Sequence, residues 1–474
     1  MGTLTALLNL SQNSLDANQA ALDITSNNVA NANTPGYTAE VATWQENDSV
    51  QLSANATVGQ GASVSAVSQR DPVLNQRVQQ QTQLESSSAA ESTALNDLQS
   101  IFGLTSSSST AASTTIGTDM NAFFSSLNSL EASPSDSSVR QNVLSAATTL
   151  AADFNSASGQ IAQQTGSLNQ QVTGAVSQIN SLTSSIAALN LQIEASSPHA
   201  DAGTLEDQRQ QDLTQLSQYI GFSQTKTENN GLTLTTANGT PLVSEGQSYA
   251  LSTSIVNGNV DVVSASGQDI TAVLNGTVSG ITGGSLGGIL KARDTNLPTV
   301  SSALDSLAYA IGSAVNTQNE AGLDANGTPG GAVFNLPASS VGAASTISVA
   351  MSSPIGIAAA AVGEGSSGSA NATALNGLTN ATLVSGQTAS QYYASMLTQL
   401  GDTVSGVANE NTTQQASLTQ LTTQQGALSG VSLDQEASNL TLYERSYEAA
   451  SKVFTIVDEL MASALNLGEE TTVA

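Results

Sequence analysis

A heptad repeat in the middle of the chain constrains the fold more than any other feature. Within residues 154–193, two series place a mostly apolar side chain at every seventh position: Ile161, Leu168, Ala175, Leu182 and Leu189, then Thr165, Val172, Ile179, Ile186 and Ile193. Because seven residues are close to two helical turns, both series fall on one face of a helix. Such a helix, about 60 Å long at 1.5 Å per residue, requires long helical partners.

Three other stretches have the periodicity of such partners. Asp71 and Pro72 are residues typical of a helix start and predict a helix to about Phe102. Residues 297–315 repeat the heptad pattern, and so do residues 391–428, where Asn411 and Gln414 interrupt the apolar series. We therefore expect a coiled-coil-like bundle of long helices.

Both ends of the chain also have apolar residues at steps of seven. The N-terminal series is Leu8, Leu15, Leu22 and Val29; the C-terminal one is Leu433, Leu440, Tyr447, Phe454 and Met461, with Tyr443 and Val457 between them. Ser11, Asn18 and Thr25 make the N-terminal stripe thin, so this helix is predicted to be marginal alone. Burying each large C-terminal side chain contributes about 1.5–3 kcal/mol, which predicts that the two ends pair.

The pattern changes from helix to strand after Gly221. Alternating Leu and Thr surround Asn238-Gly239, and a second alternating run surrounds Asn257-Gly258; both dipeptides are typical of hairpin turns. Residues 222–281 therefore read as a β domain. A Gly/Ala/Ser-rich segment at 322–385 is expected to return through this domain.

The order of elements predicts a mainly α protein with a β domain and a discontinuous, hairpin-like architecture. Paired terminal helices would lie at one end, a long coiled-coil-like helical bundle in the middle, and an outer β domain at the far tip. The predicted boundaries are 1–69 and 430–474 for the two halves of the terminal-helix domain, 70–220, 283–321 and 387–429 for the helical parts, and 221–282 and 322–386 for the β domain.

Charge limits the possible partners. Against 37 Asp and Glu residues there are 9 Lys and Arg, a net charge of −28, so a nucleic acid or an anionic membrane is not an expected partner. Yet only 10% of residues are charged, so the surface consists largely of Ser, Thr, Asn and Gln. This surface suits side-by-side packing of copies and equally suits a solvated extracellular protein.

Residues for catalysis or metal binding are scarce. There is no cysteine, and the single histidine, His199, follows Pro198 in a predicted loop. A glycine-rich run at 283–288 lacks the features of a phosphate-binding loop and is interpreted as a turn, and Asp324 begins a run that resembles a calcium loop without its closing acidic residue. We expect no catalytic site, no metal and no cofactor. The first residues have no Lys or Arg and no signal-peptide pattern, and no apolar run is long enough to span a membrane.

Two terminal motifs resemble a known family. Residues 28–37 read NVANANTPGY, with Asn28, Asn31, Asn33, Thr34, Pro35, Gly36 and Tyr37 as the signature positions. Together with Leu433, Gln435, Tyr443 and Tyr447, they are similar to the terminal signatures of bacterial flagellar rod, hook and hook-associated proteins. Interior motifs resemble the hook-associated branch at the hook–filament junction: Phe123-Phe124 with Arg140, Leu205-Glu206-Asp207-Gln208-Arg209, and Leu286–Leu290 with Arg293-Asp294.

The resemblance implies a structural protein of the extracellular flagellum, exported without a cleaved signal peptide through the flagellar type III apparatus. It implies a ring of identical copies whose axial neighbours are the hook protein and the next hook-associated protein, and an export chaperone at the C-terminal region. The two terminal stripes would form the assembly interface, and we expect both termini to be largely mobile in the single chain and to become ordered on assembly. The alternatives are another axial component, such as a hook or distal-rod protein, and a secreted adhesin or enzyme on a similar frame.

Overall fold

A computed structural model describes residues 2–53, 56–104, 115–197, 201–271, 280–365 and 367–469. His199, most of the loop expected at 106–115 and the last five residues lie outside this part of the chain. The helices are α1 (Gly2–Asn31), α2 (Pro72–Ile101), α3 (Thr115–Ala132), α4 (Ser137–Ser196), α5 (Thr204–Tyr219), α6 (Gly284–Lys291), α7 (Leu297–Glu320), α8 (Ala343–Thr346), α9 (Ala370–Gly377), α10 (Ala389–Ser429) and α11 (Leu433–Glu469).

Short strands connect and cover the helices. They are β1 (Glu40–Glu46), β2 (Val50–Ser53), β3 (Ala56–Val58), β4 (Ala62–Ser68), β5 (Ser223–Lys226), β6 (Leu232–Thr235), β7 (Pro241–Ser244), β8 (Gln247–Ser248), β9 (Ser252–Val256), β10 (Asn259–Val263), β11 (Gly322–Leu323), β12 (Phe334–Asn335), β13 (Ser348–Val349) and β14 (Ala360–Ala361). With α1 packed on α11 and long helices between them, the predicted fold class is confirmed.

The predicted heptad helix is part of α4, which runs unbroken for 60 residues, about 90 Å at 1.5 Å per residue. The Asp136 carboxylate caps its start by accepting from the Ser138 amide at 2.7 Å. Its heptad positions are buried, except for half-buried Thr165 and Leu182. They pack against a succession of partners, since α4 contacts α3, α5, α8 and strands β7–β10. The seam thus forms the core of a composite bundle.

Helices α2 and α10 form an antiparallel pair, and the two polar interruptions predicted in α10 hydrogen-bond across it. The Asn411 side chain donates to Ser88 Oγ at 3.1 Å, and the Gln81 amide donates to Gln414 Oε1 at 2.6 Å. Gln425 donates to Asn75 nearer the helix ends, at 2.6 Å. These polar groups fix the register of the two helices, because a shift would leave them unpaired.

The β region contains the two predicted hairpins. Strands β5–β8 form one antiparallel sheet, and β9 pairs with β10 around Asn257-Gly258, both of which have positive φ (51° and 87°) as a tight primed turn requires. The glycine-rich run at 283–288 was predicted to be a turn, and this prediction is wrong. The run forms the start of α6. Its Gly288 lies against the α2 backbone, where a Cβ would come within 2.0 Å of the Ser87 carbonyl oxygen.

The segment from 322 to 386 differs from the predicted return through the β domain. Among the described residues, β11 pairs with β14 and β12 with β13, and none of these strands joins the β5–β8 sheet. Helices α8 and α9 pack on α4, α7 and α3 instead. Short apolar runs in this segment, such as Ala358–Ala360, are buried against helices, which a strand-like pattern could not distinguish from burial in a sheet.

Candidate assembly site

The buried face of α1, which packs on α11 and on strands β1 and β4, carries polar and small residues. Ser11, Asn18, Ala21 and Thr25 are buried, whereas the predicted stripe is only half-buried at Leu8, Leu15 and Leu22, and Val29 is 40% exposed. Ser11 Oγ and Asn18 Nδ2 donate to carbonyls of their own helix, at 2.9 and 2.7 Å, so their polar groups need no partner across the contact. Small side chains let the two helices approach closely.

The predicted C-terminal stripe mostly faces α1. Val457 is buried, and Leu440, Tyr443, Phe454 and Met461 are half-buried, whereas Leu433 and Tyr447 are exposed. The structure therefore brings part of each predicted stripe into one intramolecular contact and leaves Val29, Leu433 and Tyr447 outside it. The single tryptophan, Trp44 on β1, adds to this packing, with its ring centroid 6.2 Å from that of Tyr443.

A second apolar stripe on α11 faces solvent, and the sequence analysis missed it. It consists of Leu442, Val453, Ile456 and Leu460, each 48–58% exposed. Its signal was present, because Val453, Ile456 and Leu460 are spaced by three and four residues, as one helix face requires. The seven-residue steps of the stronger stripe concealed it. We call these four residues the outer stripe.

The signature turn is organised by Asn28. Its side-chain amide donates to the Glu40 carbonyl at 2.7 Å and to a carboxylate oxygen of Glu436 on α11 at 3.0 Å. Its side-chain oxygen accepts from the Tyr37 hydroxyl at 2.8 Å and from the Glu40 amide at 2.9 Å. One buried side chain thus joins α1, the start of β1 and α11.

The remaining signature residues shape the turn and are mostly exposed. Gly36 has a φ of +80°, which favours glycine, and the Thr34 hydroxyl donates to Asn31 Oδ1 at 3.2 Å. Asn33, Thr34, Pro35 and Gly36 lie at the surface. The pKa of Tyr37 is raised to about 12 by burial and by the nearby carboxylates of Glu40, Asp207 and Glu436, so its hydroxyl remains a donor at neutral pH.

A polar joint lies where the terminal helices meet the rest of the chain. Arg70 Nη1 contacts Glu206 at 2.5 Å and Asp201 at 3.2 Å, and its Nη2 contacts Asp207 at 2.7 Å. Burial alone would lower the pKa of Arg70, but the hydrogen bond to Asp207 and the three carboxylates raise it overall. Burial would likewise raise the pKa of Asp201, yet hydrogen bonds from Ser68 and Gly203 and the charge of Arg70 hold it below its usual value.

Three arginines of the interior motifs also connect separate parts of the fold through hydrogen bonds. Arg293 is 1% exposed and donates to Asn169 Oδ1 on α4 at 2.9 Å and to the Val260 carbonyl. Arg209 donates to Asn190 on α4 at 3.0 Å and to the Asn230 carbonyl at 2.7 Å, and Arg140 bonds the Ile357 carbonyl. Each buried arginine therefore binds strand or loop backbone to the helical bundle.

Neither a catalytic nor a metal centre emerges from these contacts. In the described ranges, no group of three or more His, Cys, Asp or Glu residues is placed to hold a metal ion, and the Asp324 carboxylate instead accepts from the amides of Asn326 and Thr328 within its own loop. Over the same ranges, no helix is long and apolar enough to cross a membrane. A cleft of about 360 Å³ beside Tyr37 is lined by amides and hydroxyls such as Gln210 and Gln425.

Three family models match the chain. The flagellar hook-associated protein FlgK helical domain matches residues 103–334, the C-terminal part of flagellar basal body rod FlgEFG proteins matches 424–467, and the flagella basal body rod protein matches 8–38. The latter two matches fall mainly on the terminal helices, and the first covers helices α3–α7 and strands β5–β10.

Curated relatives and a solved structure agree with these models. The chain is 27% identical over 504 residues to flagellar hook-associated protein 1 of Bacillus subtilis, covering 97% of both chains. It is 29% identical over 345 residues to the Escherichia coli protein of the same name, covering 70% of this chain and 60% of that relative. The flagellar hook junction protein FlgK from Burkholderia pseudomallei has a similar fold, with a TM-score of 0.66 at 21% identity, covering 75% of this chain and 100% of that one.

Proposed function

We propose that the chain is a structural subunit of the junction between flagellar hook and filament, because models of flagellar rod and hook-associated proteins match it and it is similar to flagellar hook-associated protein 1. The observation that supports an assembling subunit best is the two-sided terminal helix pair. One side of α11 packs on α1, and the outer stripe on the other side is left to solvent.

Exposed apolar area of this kind favours self-association. Each outer-stripe side chain can still gain about 1 kcal/mol or more of transfer free energy on burial, since only about half of it is covered in the single chain. Leu8, Leu15 and Leu22 on α1 are half-buried and Val29 is 40% exposed, so these side chains can also gain transfer free energy on further burial, though less than the outer stripe. We propose that neighbouring copies in a ring cover both surfaces, and that the hook protein and the next hook-associated protein are the axial neighbours.

The C-terminal region is also the proposed site for an export chaperone. Before assembly the outer stripe has no cover among the described residues, and a chaperone that binds α11 would prevent premature association. Export through the flagellar type III apparatus without a cleaved signal peptide, and an extracellular location at the junction, belong to the same proposal.

Hydrogen exchange tests the assembly proposal. We expect backbone amides of 3–32 and 433–465 to exchange faster in the free chain than in assembled rings, because neighbouring copies add the missing apolar cover. Strong protection of 3–32 in the free chain, unchanged on assembly, would contradict it.

Deletion of the residues after Leu433 tests the role of α11. We expect a strain with this deletion to lose chaperone binding and junction assembly together, with the hook still complete. Normal filaments on such a strain would overturn the proposed function.

A further inference from the structure

The terminal helices and their hairpin connect to the rest of the molecule through two thin crossings. We call residues 2–70 and 431–469 the terminal unit and residues 71–430 the body. The chain passes between them at Arg70 and at Gly430. Such a connection allows relative motion unless non-covalent contacts oppose it.

One short segment of the body, residues 201–207, binds both ends of the hairpin formed by β1 and β4. The Asp207 carboxylate accepts from the Thr38 amide at 2.9 Å and from the Thr38 hydroxyl at 2.7 Å. Asp201 accepts from the Ser68 amide at 2.6 Å. The two ends of the hairpin are therefore bound to the same segment of the body.

Arg70 completes this contact with charge. Its guanidinium is largely buried and bonds three carboxylates and the Gly203 carbonyl, so Asp207 Oδ1 receives both Arg70 and Thr38. Charge-assisted hydrogen bonds in a partly buried site are directional, and a rotation of the terminal unit would break several of them at once.

Helix α5 passes this constraint to the long helix of the body. Asp207 lies in the first turn of α5, and Arg209, two residues later, bonds Asn190 on α4 at 3.0 Å. The second crossing is held in turn by a backbone hydrogen bond from Ala39 to Ser429 at 2.9 Å. The direction of α4 is thereby coupled to that of the terminal unit.

We propose that Arg70 and Asp207 form a latch that holds the terminal unit at one angle to the body, and that both are positioning residues for that angle. The latch belongs to the single chain and is made before any neighbour binds. Only the purpose of the latch rests on the proposed function. That purpose is to present every copy in a ring in the same orientation.

The absence of cysteine allows a direct distance measurement on the full-length chain. Spin labels at Ser26→Cys on α1 and Gln80→Cys on α2, both exposed, report the angle across the joint. We expect one narrow distance distribution in the parent and one about twofold wider in Arg70→Gln and Asp207→Asn, because the crossings alone do not fix the angle. The matched control is Arg77→Gln, an exposed arginine on α2, which should leave the distribution unchanged.

Thr38→Val tests the latch with the least disturbance, since it removes one hydroxyl at nearly constant volume. Far-UV circular dichroism establishes that each variant is folded, and the conclusion is drawn from whichever of the three variants retain the parent's helix signal. Broadening in the folded variants supports the latch, and a distribution as narrow as that of Arg77→Gln overturns it. Because the measurement uses the unassembled chain, failure of the parent to form rings would count against the proposed function and leave the latch intact.

Discussion

Asn28 and Glu436 lie 408 residues apart in the chain, and the Asn28 amide donates a 3.0 Å hydrogen bond to a buried carboxylate oxygen of Glu436. This contact connects the first helix to the last one. It also places a signature residue at the centre of the turn, where the other partners of Asn28 are Tyr37 and Glu40.

Replacing Asn28 with Ala should loosen the terminal unit selectively. The change leaves the Tyr37 hydroxyl, the Glu40 amide and the Glu436 carboxylate without this partner, and we expect a loss of about 2 kcal/mol in the free energy of unfolding of the terminal unit. Urea titration followed by the fluorescence of Trp44, which packs on Tyr443, measures it. Asn33→Ala, at an exposed signature position, should change stability by less than about 0.5 kcal/mol, and equal midpoints for the two variants would contradict the assignment.

Substitutions at two adjacent residues of α11 should affect stability and assembly separately. Val457 is 2% exposed and Ile456 is 56% exposed. Val457→Ala should lower the stability of the terminal unit by about 1–2 kcal/mol, because it leaves a cavity between the helices. Ile456→Ala should leave the free chain within about 0.5 kcal/mol of the parent and weaken ring formation. Sedimentation velocity measures the latter, and full assembly of Ile456→Ala would argue against the outer stripe as an interface.

Two helical glycines should respond to alanine with opposite sign. A Cβ at Gly288 meets the Ser87 backbone at 2.0 Å, so Gly288→Ala must separate α6 from α2 and should cost about 2–3 kcal/mol. At Gly406 on α10 nothing lies within 4 Å of the new Cβ, and Gly406→Ala should stabilise the body by about 0.5–1 kcal/mol. Thermal unfolding followed at 222 nm compares them, and destabilisation by both would show that α10 has a covered face at Gly406.

The contribution of Asp153 to the stability of the body should fall as the pH rises towards neutrality. Burial, a hydrogen bond with Asp119 and the charge of Asp119 raise the pKa of Asp153 from 3.8 to about 7. Between these values the folded chain binds a proton that the unfolded chain has lost, so the free energy of unfolding decreases with increasing pH. Asp153→Asn removes this titration and should be more stable than the parent above about pH 7. Asp97→Asn, at an exposed position, is the control, and identical pH profiles for the parent and Asp153→Asn would refute the shift.

Local pattern was sufficient for much of the fold. The heptad positions from Ile161 to Ile193 lie along α4, and Asn257-Gly258 forms the turn between β9 and β10. Both depend on interactions within a few residues, namely helical periodicity and the tolerance of Asn and Gly for positive φ. The glycine-rich run at 283–288 was misread because a packing requirement from α2 selects glycine there, and composition does not distinguish that from a turn.

The contacts of the polar joint and of the buried arginines could not be predicted from the sequence. Arg70 and Asp207 are separated by 137 residues, and Arg293 and Asn169 by 124, so no spacing rule relates them. The motifs containing Asp207, Arg209 and Arg293 were noted from their resemblance to a family, whereas their contacts depend on how α4 and α5 pack.

The periodicity of the chain determined by itself that both termini are amphipathic helices needing partners. Which face of α1 meets α11 was settled in three dimensions. The Leu8–Val29 stripe predicts an apolar seam, yet the buried residues are Ser11, Asn18 and Thr25. Their side chains are small, and Ser11 and Asn18 bond carbonyls of their own helix. Burial depends on the surfaces that surround a helix, and only the tertiary structure places α11 and the β1–β4 hairpin against α1.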